Sequence, residues 1–164
     1  MVHEIRVIGV DHGIHHTGYG VLKKTSDKII CLDQGSIDTS PDNPFPQRLQ
    51  KIYNELFAVI QNWRPDIMIV EEAIYAQNIH TALMMGHARG VVLLAGVNNG
   101  VEICEYTPKK IKSSVVGNGN ATKEQVRFMV SRIIGIDEKS LKLDASDALA
   151  AAICHLNQNR LLKN

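Results

Sequence analysis

Two stretches of the chain are apolar at nearly every position. Residues 7–10 and 67–70 are bounded by charged side chains, and short runs without alternation of apolar and polar positions are typical of strands buried on both faces. The first run ends at Asp11 and the second at Glu71. We therefore predict two central, neighbouring strands that each carry a carboxylate to one edge of a sheet.

Three further strands are predicted around these two. Residues 18–24 and 28–37 are joined by a polar turn at 25–27, so the first three strands form an antiparallel meander. Residues 101–106 form the fifth strand. The first hairpin also contains glycines that let the backbone turn sharply and approach a neighbouring element closely, at Gly13, Gly18 and Gly20.

Helical periodicity covers most of the remaining chain. Between residues 46 and 63, apolar side chains recur at helical spacing, at Leu49, Ile52, Tyr53, Leu56, Phe57 and Ile60. A second helix, over about residues 78–97, is rich in small side chains. This indicates close packing either against another helix, such as one from a second subunit, or against the chain's own sheet. A short helix begins near Pro108, and two more cover about residues 121–134 and 143–159, the last capped by Ser140.

Together these elements predict one mixed α/β domain over residues 1–164, with the last few residues forming a tail. The composition, 45% hydrophobic and 21% charged, is ordinary for a globular protein. No apolar run approaches the ~18 residues that span a bilayer, and the first residues lack a signal pattern. Three widely spaced cysteines indicate neither a disulfide framework nor a zinc site, so we expect a reducing, cytoplasmic location without a membrane partner.

Charge is distributed unevenly along the chain. Residues 107–164 carry 10 basic and 5 acidic side chains, whereas residues 1–106 carry 8 and 12. A basic C-terminal third is compatible with a polyanion that one part of the protein binds and another part processes. An uneven surface charge without function is equally compatible with this count.

A second pair of acids lies in the last predicted helix. Asp144 and Asp147 are three residues apart, so a helix places them on the same face, among alanines that indicate packing rather than free solvation. Two like charges in that position call for a cation. Compensation of the positive end of the helix dipole is the alternative explanation for this pair alone.

Four carboxylates from separate elements are suited to Mg²⁺ or Mn²⁺, because both ions prefer oxygen ligands. Asp11, Glu71, Asp144 and Asp147 would hold two such ions roughly 4 Å apart, the arrangement used in phosphodiester hydrolysis. The acids at the strand ends favour this metal site over the dipole explanation.

The order of these motifs resembles that of the RuvC-type Holliday junction resolvases, which belong to the ribonuclease H-like superfamily. The resemblance extends from Val7 to about His155. It rests on Ile8-Gly9-Val10-Asp11-x-Gly13 with Thr17-Gly18-Tyr19-Gly20, on Ile69-Val70-Glu71, on Gly86-His87-Ala88-Arg89-Gly90, and on Asp144-Ala145-Ser146-Asp147-Ala148-Leu149-Ala150.

The resemblance implies a five-stranded mixed sheet flanked by helices, a homodimer, and symmetric, Mg²⁺-dependent nicking of four-way DNA junctions in recombination and repair. A branch-migration motor is a further candidate partner. By position, Asp11, Glu71, Asp144 and Asp147 match the four catalytic acids of the family. Lys112 and Lys123 match basic residues near the scissile strand, although each taken alone would be an ordinary surface lysine.

We also predict DNA contacts from side chains near these motifs: Tyr75, Asn78, Arg89, Lys109, Lys110, Lys112, Asn118 and Lys123. The family often places a stacking aromatic residue three positions after the catalytic Glu. Here that position is Ile74, and the aromatic residue is its neighbour Tyr75.

The chain also departs from the family after the first acid, where His12 replaces the usual proline and His15 and His16 follow in the same turn. We interpret these histidines as exposed turn residues or phosphate contacts rather than metal ligands, because the carboxylates already suffice.

Three other functions compete with a junction resolvase. A ribonuclease H-like RNA-processing nuclease of the YqgF type shares the first strand but is not expected to match residues 86–90 together with Lys112 and Lys123. An actin-like nucleotide-binding protein needs two such halves and over twice this length. A junction-binding protein without catalysis gains nothing from clustered acids that face DNA.

Overall fold

The computed structural model describes residues 4–72 and 78–161, with side chains up to residue 158. Its five strands form one mixed sheet in the order β3-β2-β1-β4-β5. The first three strands pair antiparallel, whereas β1–β4 and β4–β5 pair parallel. The strands are β1 (Ile5–Asp11), β2 (His16–Lys24), β3 (Ile29–Asp38), β4 (Ile67–Glu71) and β5 (Glu102–Tyr106). The predicted meander and the central pair β1–β4 are therefore confirmed.

Helices cover both faces of this sheet. Within the described residues they are α1 (Phe45–Trp63), α2 (Ile79–Asn98), α3 (Pro108–Val116), α4 (Lys123–Ile134) and α5 (Leu143–Leu161), with a 3-10 turn at Glu138–Ser140. No helix in these ranges is both long and apolar enough to cross a bilayer.

Strand β1 shows why the central runs lack alternation. Val7 packs into the core beneath α3, α4 and α5, whereas Ile8 and Val10 pack into the core beneath α1 and α2. All three side chains are fully buried, because a strand covered on both sides has no polar face.

The helix boundaries near the site follow from local capping. Thr107 and Thr122 accept hydrogen bonds from backbone N–H groups in the first turns of α3 and α4, and Gln125 completes a capping box at α4. This arrangement places Lys123 at the first position of α4. The prediction that Ser140 caps α5 is wrong, because its hydroxyl donates to the carbonyl of Asp137 and closes the preceding 3-10 turn.

The small residues of α2 have two environments. Ala88, Ala95 and Gly96 are buried against the chain's own core, whereas a Cβ on Gly86 or Gly90 would meet no atom within 4 Å. Packing against the sheet therefore explains the small residues on only one face of this helix.

Candidate active site

Two acids meet at the carboxyl edge of the central strands. The parallel register pairs Val10 with Val70, so Asp11 and Glu71 both follow at the same edge. This juxtaposition is the one expected when two buried, parallel strands end in carboxylates.

Helix α5 lies unusually close to this edge of the sheet. A Cβ on Gly9 would overlap the backbone carbonyl of Ala148, and one on Gly18 would overlap the carbonyl of Asp144. Because these glycines have no side chains, the first turns of α5 contact the hairpin of β1 and β2 directly. The close approach predicted for Gly18 is present, and the glycine inside the apolar run at position 9 is a signal that the sequence prediction missed.

One cleft collects most of the predicted catalytic residues. Asp11, Glu71 and Asp147 line it together with Lys112 and Lys123, and its apolar wall consists of Pro108, Ile111, Val126 and Ala150. Asp144 is not among the lining residues, although its charge raises the pKa of both Asp11 and Asp147.

The acids of the cleft carry more negative charge than their surroundings neutralise. The pKa of Asp11 rises to about 7, first because the carboxyl is buried and then because Asp147 and Glu71 lie nearby. Burial likewise raises the pKa of Glu71 and of Asp147. Carboxyl groups held in this way gain from any cation that binds between them.

Lys123 supplies part of the missing positive charge. Its Nζ lies 2.9 Å from Oδ2 of Asp147, and the lysine side chain is 58% exposed whereas the aspartate is 19% exposed. The hydrogen bond to Asp147 raises the pKa of Lys123. The ammonium group therefore remains charged and faces the cleft from its solvent side.

The donor set fits a hard divalent cation, because it consists of carboxylate oxygens with an excess of buried negative charge. In the described ranges, no three side chains of His, Cys, Asp and Glu converge closely enough to hold one ion already. The cleft thus has suitable donors without a preformed cage.

Residues 7–155 match the protein family described as crossover junction endodeoxyribonuclease RuvC. The chain belongs to the RuvC family. The Geobacter sulfurreducens member is 44% identical over 153 residues, which cover 93% of each protein. The Thermus thermophilus RuvC structure superposes with a TM-score of 0.85 at 34% identity, covering 96% of both chains. A second Thermus thermophilus RuvC structure, in complex with a Holliday junction substrate, gives the same TM-score at 32% identity. The predicted family and fold class are confirmed.

The remaining candidates for DNA contact that the structure describes in this RuvC-family chain are not among the residues that line the cleft. Lys109 and Lys110, at the start of α3, line a separate shallow groove with Ser113 and Ser114. The Nζ of Lys110 lies 4.9 Å from the ring centre of Tyr106.

Asn118, Asn78 and Arg89 each have a partner within the chain. Asn118 accepts a hydrogen bond from the backbone of Asn120 in the loop before α4. Asn78 caps α2 by accepting from the N–H of Thr81 at 3.2 Å. Arg89 forms an ion pair with Glu105 of β5, with 2.6 Å between nitrogen and oxygen. Tyr75 and Ile74 lie outside the described residues.

His12 contradicts the interpretation of the three histidines as exposed turn residues. Its side chain is buried, with 8% of the residue exposed. Burial and the nearby charge of Arg89 lower the pKa of His12 to about 4, so the imidazole is neutral at pH 7. His15 and His16 are exposed as predicted. The burial of His12 was not predictable from the local pattern, because it depends on how the chain packs around the loop after β1.

Proposed function

We propose that this chain is a junction-resolving endonuclease that hydrolyses phosphodiester bonds symmetrically in two strands of a four-way DNA junction, in recombination and repair. The observation that carries this proposal is the convergence of Asp11, Glu71, Asp147, Lys112 and Lys123 in one cleft of a RuvC-family chain. The junction complex of the Thermus thermophilus relative supports the choice of substrate.

The acids have the role of metal ligands in this proposal. Asp11, Glu71 and Asp147, with Asp144 beside them, would hold two Mg²⁺ ions, with Mn²⁺ as the alternative. When bound, such ions would activate water for attack on the phosphodiester and would stabilise the charge on the leaving 3′-oxygen. The raised pKa of Asp11, Glu71 and Asp147 supports this role, because a bound cation offsets the burial and the mutual repulsion that raise it.

The two lysines of the cleft act on the DNA. Lys112 and Lys123 face the acids from α3 and α4, where an ammonium group neutralises part of the charge of the scissile phosphate. Lys109, Lys110, Asn118, Asn78, Arg89 and Tyr75 complete the proposed DNA-binding set. Since Arg89 is engaged by Glu105, its contribution requires DNA to compete with a carboxylate.

The proposal includes a homodimer formed through α2. The exposed apolar side chains of this helix are Ile79, Leu83, Leu94 and Val97, and they are 79%, 58%, 52% and 60% exposed. At about 100° per residue they share one helical face with Gly86 and Gly90, whose surroundings are open. A second copy of α2 fits this self-complementary stripe, because an isologous interface pairs the same surface of both subunits. Two subunits then supply one active site for each strand that is cut.

The rest of the proposal concerns the setting of the enzyme. We infer a single nuclease domain over residues 1–164, a cytoplasmic location, and a branch-migration motor as a candidate partner. The match to the RuvC family over residues 7–155 favours a junction resolvase over an RNA-processing nuclease of the same superfamily.

The decisive experiment compares three substrates: a synthetic four-way junction, a linear duplex and an RNA–DNA hybrid, each with Mg²⁺ or with EDTA. We expect paired nicks in the junction only, and only with Mg²⁺. Asp147→Asn and Asp144→Asn should each lower the cleavage rate by at least a hundredfold, because each variant removes the charge of one proposed metal ligand.

Asp27→Asn is the matched control, since Asp27 is an exposed acid in the β2–β3 turn at the opposite edge of the sheet. It should leave the rate unchanged. Absence of junction cleavage by the wild-type protein, or full activity of Asp147→Asn, would refute the proposed function.

A further inference from the structure

An arginine of α1 is buried beside the loop that follows Asp11. Arg48 is only 6% exposed, although arginine is rarely buried to this extent without a charged partner. None of the ion pairs among the described residues involves it. A guanidinium group in this position costs free energy of desolvation, which neutral acceptors must offset.

Those acceptors all belong to the loop or to the strand end that supports it. The Nε of Arg48 donates to Oγ1 of Thr39 at 2.9 Å, and one terminal nitrogen donates to the carbonyl of Ile14 at 3.2 Å. The same nitrogen lies 3.1 Å from Nδ1 of His15. Arg48 therefore holds two consecutive residues of the loop at once.

Thr39 reinforces this arrangement from the end of β3. Its hydroxyl donates to the carbonyl of Ile14, and its N–H donates to the carbonyl of His15 at 2.9 Å. On the other side, the hydroxyl of Thr17 donates to the carbonyl of Gly13. The loop between β1 and β2 is thus fixed at several backbone and side-chain positions. It lies directly after Asp11, the last residue of β1.

The contact with Arg48 defines the protonation of the His15 ring. A guanidinium group has only donors, so Nδ1 of His15 must accept the hydrogen bond. The proton of the neutral ring is then at Nε2. His15 itself is exposed, and its Nε2 has no partner among the described residues, so this N–H is free to donate to a ligand.

His16 differs from His15 although it is the next residue. Its Nδ1 lies 2.9 Å from Oδ1 of Asp38, and its side chain is 59% exposed. An acidic partner makes this histidine a poor contact for a polyanion. The two adjacent, exposed histidines therefore form a natural matched pair for an experiment.

We propose that Arg48 is a positioning residue that locks His15 in its Nε2–H tautomer, and that His15 donates this hydrogen bond to a backbone phosphate of the bound DNA at the end of β1, in the loop that follows Asp11. The inference rests on the proposed function for its ligand, since it adds a phosphate contact to the junction-binding surface.

The first arm of the test needs no DNA. Histidine ¹⁵N resonances of the metal-free protein at pH 8 report which ring nitrogen is protonated, and His15→Gln assigns the His15 signals. We expect the Nε2–H tautomer alone in the wild type and a detectable Nδ1–H tautomer in Arg48→Met. A protonated Nδ1 of His15 in the wild type would refute the claim that Arg48 fixes the tautomer. This result is independent of whether the chain binds junctions.

The second arm measures binding of a four-way junction in EDTA. His15→Ala should weaken binding about fivefold, the loss associated with one neutral hydrogen bond, and His15→Gln should recover most of it because it restores an N–H donor. His16→Ala should bind like the wild type. Equal binding by His15→Ala, or equal losses in the two alanine variants, would overturn the assignment of His15.

Two further comparisons separate positioning from general damage to the fold. The salt dependence of binding should be unchanged in His15→Ala, because an uncharged donor releases no counterion, whereas Lys109→Ala should reduce the slope by about 1. Arg48→Met combined with His15→Ala should bind no more weakly than the weaker single variant, and additive losses would refute the proposed coupling. If the wild type itself does not prefer the junction over a duplex, the proposed function fails while the tautomer result remains valid.

Discussion

Helices α2 and α5 are both rich in small residues, yet they use them in opposite ways. In α5, nearly every residue from Ala145 to Leu156 is buried, and the backbone of Ala148 contacts the sheet at Gly9. In α2, four residues are buried and a stripe of four large apolar side chains faces solvent. Small residues are therefore buried along nearly the whole of this part of α5, but along only one face of α2.

The two helices also differ in the charge that they place near the sheet. Helix α5 carries Asp147 into a cleft with Asp11 and Glu71, whereas the exposed stripe of α2 consists of apolar side chains. The α5 side thus combines tight packing with buried carboxylates whose pKa is raised by burial and mutual repulsion. The α2 side instead leaves an apolar stripe exposed, which is the surface that we propose for a partner subunit.

The largest effect should come from filling the contact between β1 and α5. Gly9→Ala places a methyl group where the carbonyl of Ala148 lies, and neither backbone can move without disturbing the core. We expect a loss of about 3 kcal/mol or more in the free energy of unfolding, at the upper end of overpacking effects. Urea denaturation of the variant checks this value.

Gly90→Ala is the matched control on α2, because a Cβ there meets no atom within 4 Å. It should raise the stability of the isolated subunit by up to about 1 kcal/mol through helix propensity. Equal destabilisation by the two substitutions would show that the two helices do not differ as described.

An intermediate effect should follow from a charge on the exposed stripe of α2. Leu83→Glu buries a carboxylate in the centre of the proposed interface, so the dimer dissociation constant should rise at least a hundredfold, about 2.7 kcal/mol. The subunit fold should be unaffected because Leu83 is 58% exposed. Sedimentation equilibrium measures association, and circular dichroism serves as the check on folding.

Phe128→Glu provides a control for the loss of an exposed apolar side chain elsewhere, since Phe128 is 45% exposed on α4. It should leave the dimer intact. A wild-type protein that is monomeric at micromolar concentration would contradict the role assigned to α2.

A smaller effect should appear on removing the charge of Asp11. Its pKa is about 7 in the folded protein, against 3.8 as the reference value, so between these values the folded state binds the proton more tightly than the unfolded state. The stability that this group contributes is present at low pH and lost as the pH rises through 7. In EDTA, the free energy of unfolding of Asp11→Asn, relative to that of the wild type, should therefore rise by about 2 kcal/mol between pH 5 and pH 8.

Mg²⁺ should reverse this advantage at pH 8, because only the wild type retains the full set of carboxylates that bind it. Thermal unfolding with EDTA and with Mg²⁺ measures both effects. Wild-type stability that does not change with Mg²⁺, together with no gain for Asp11→Asn, would contradict the account of the cleft as a charged cation site.

Local patterns were sufficient for most of the fold. The uninterrupted apolar runs ending in Asp11 and Glu71 predicted two central strands, and helical periodicity predicted α1 with its bounds nearly correct. These predictions succeeded because each depends on the periodicity of a few consecutive residues. The predicted cap at Ser140 failed because Ser140 belongs to the 3-10 turn Glu138–Ser140, and α5 begins only at Leu143.

The sequence by itself determined which carboxylates are available, which secondary structures carry them, and that the chain belongs with the RuvC family. Only the tertiary structure decided that Asp147 lines the cleft while Asp144 does not, that Glu105 engages Arg89, and that His12 is buried. The physical reason is that periodicity specifies which face a side chain occupies on its own element. What that face meets depends on long-range packing, such as the backbone contact between Gly9 and Ala148.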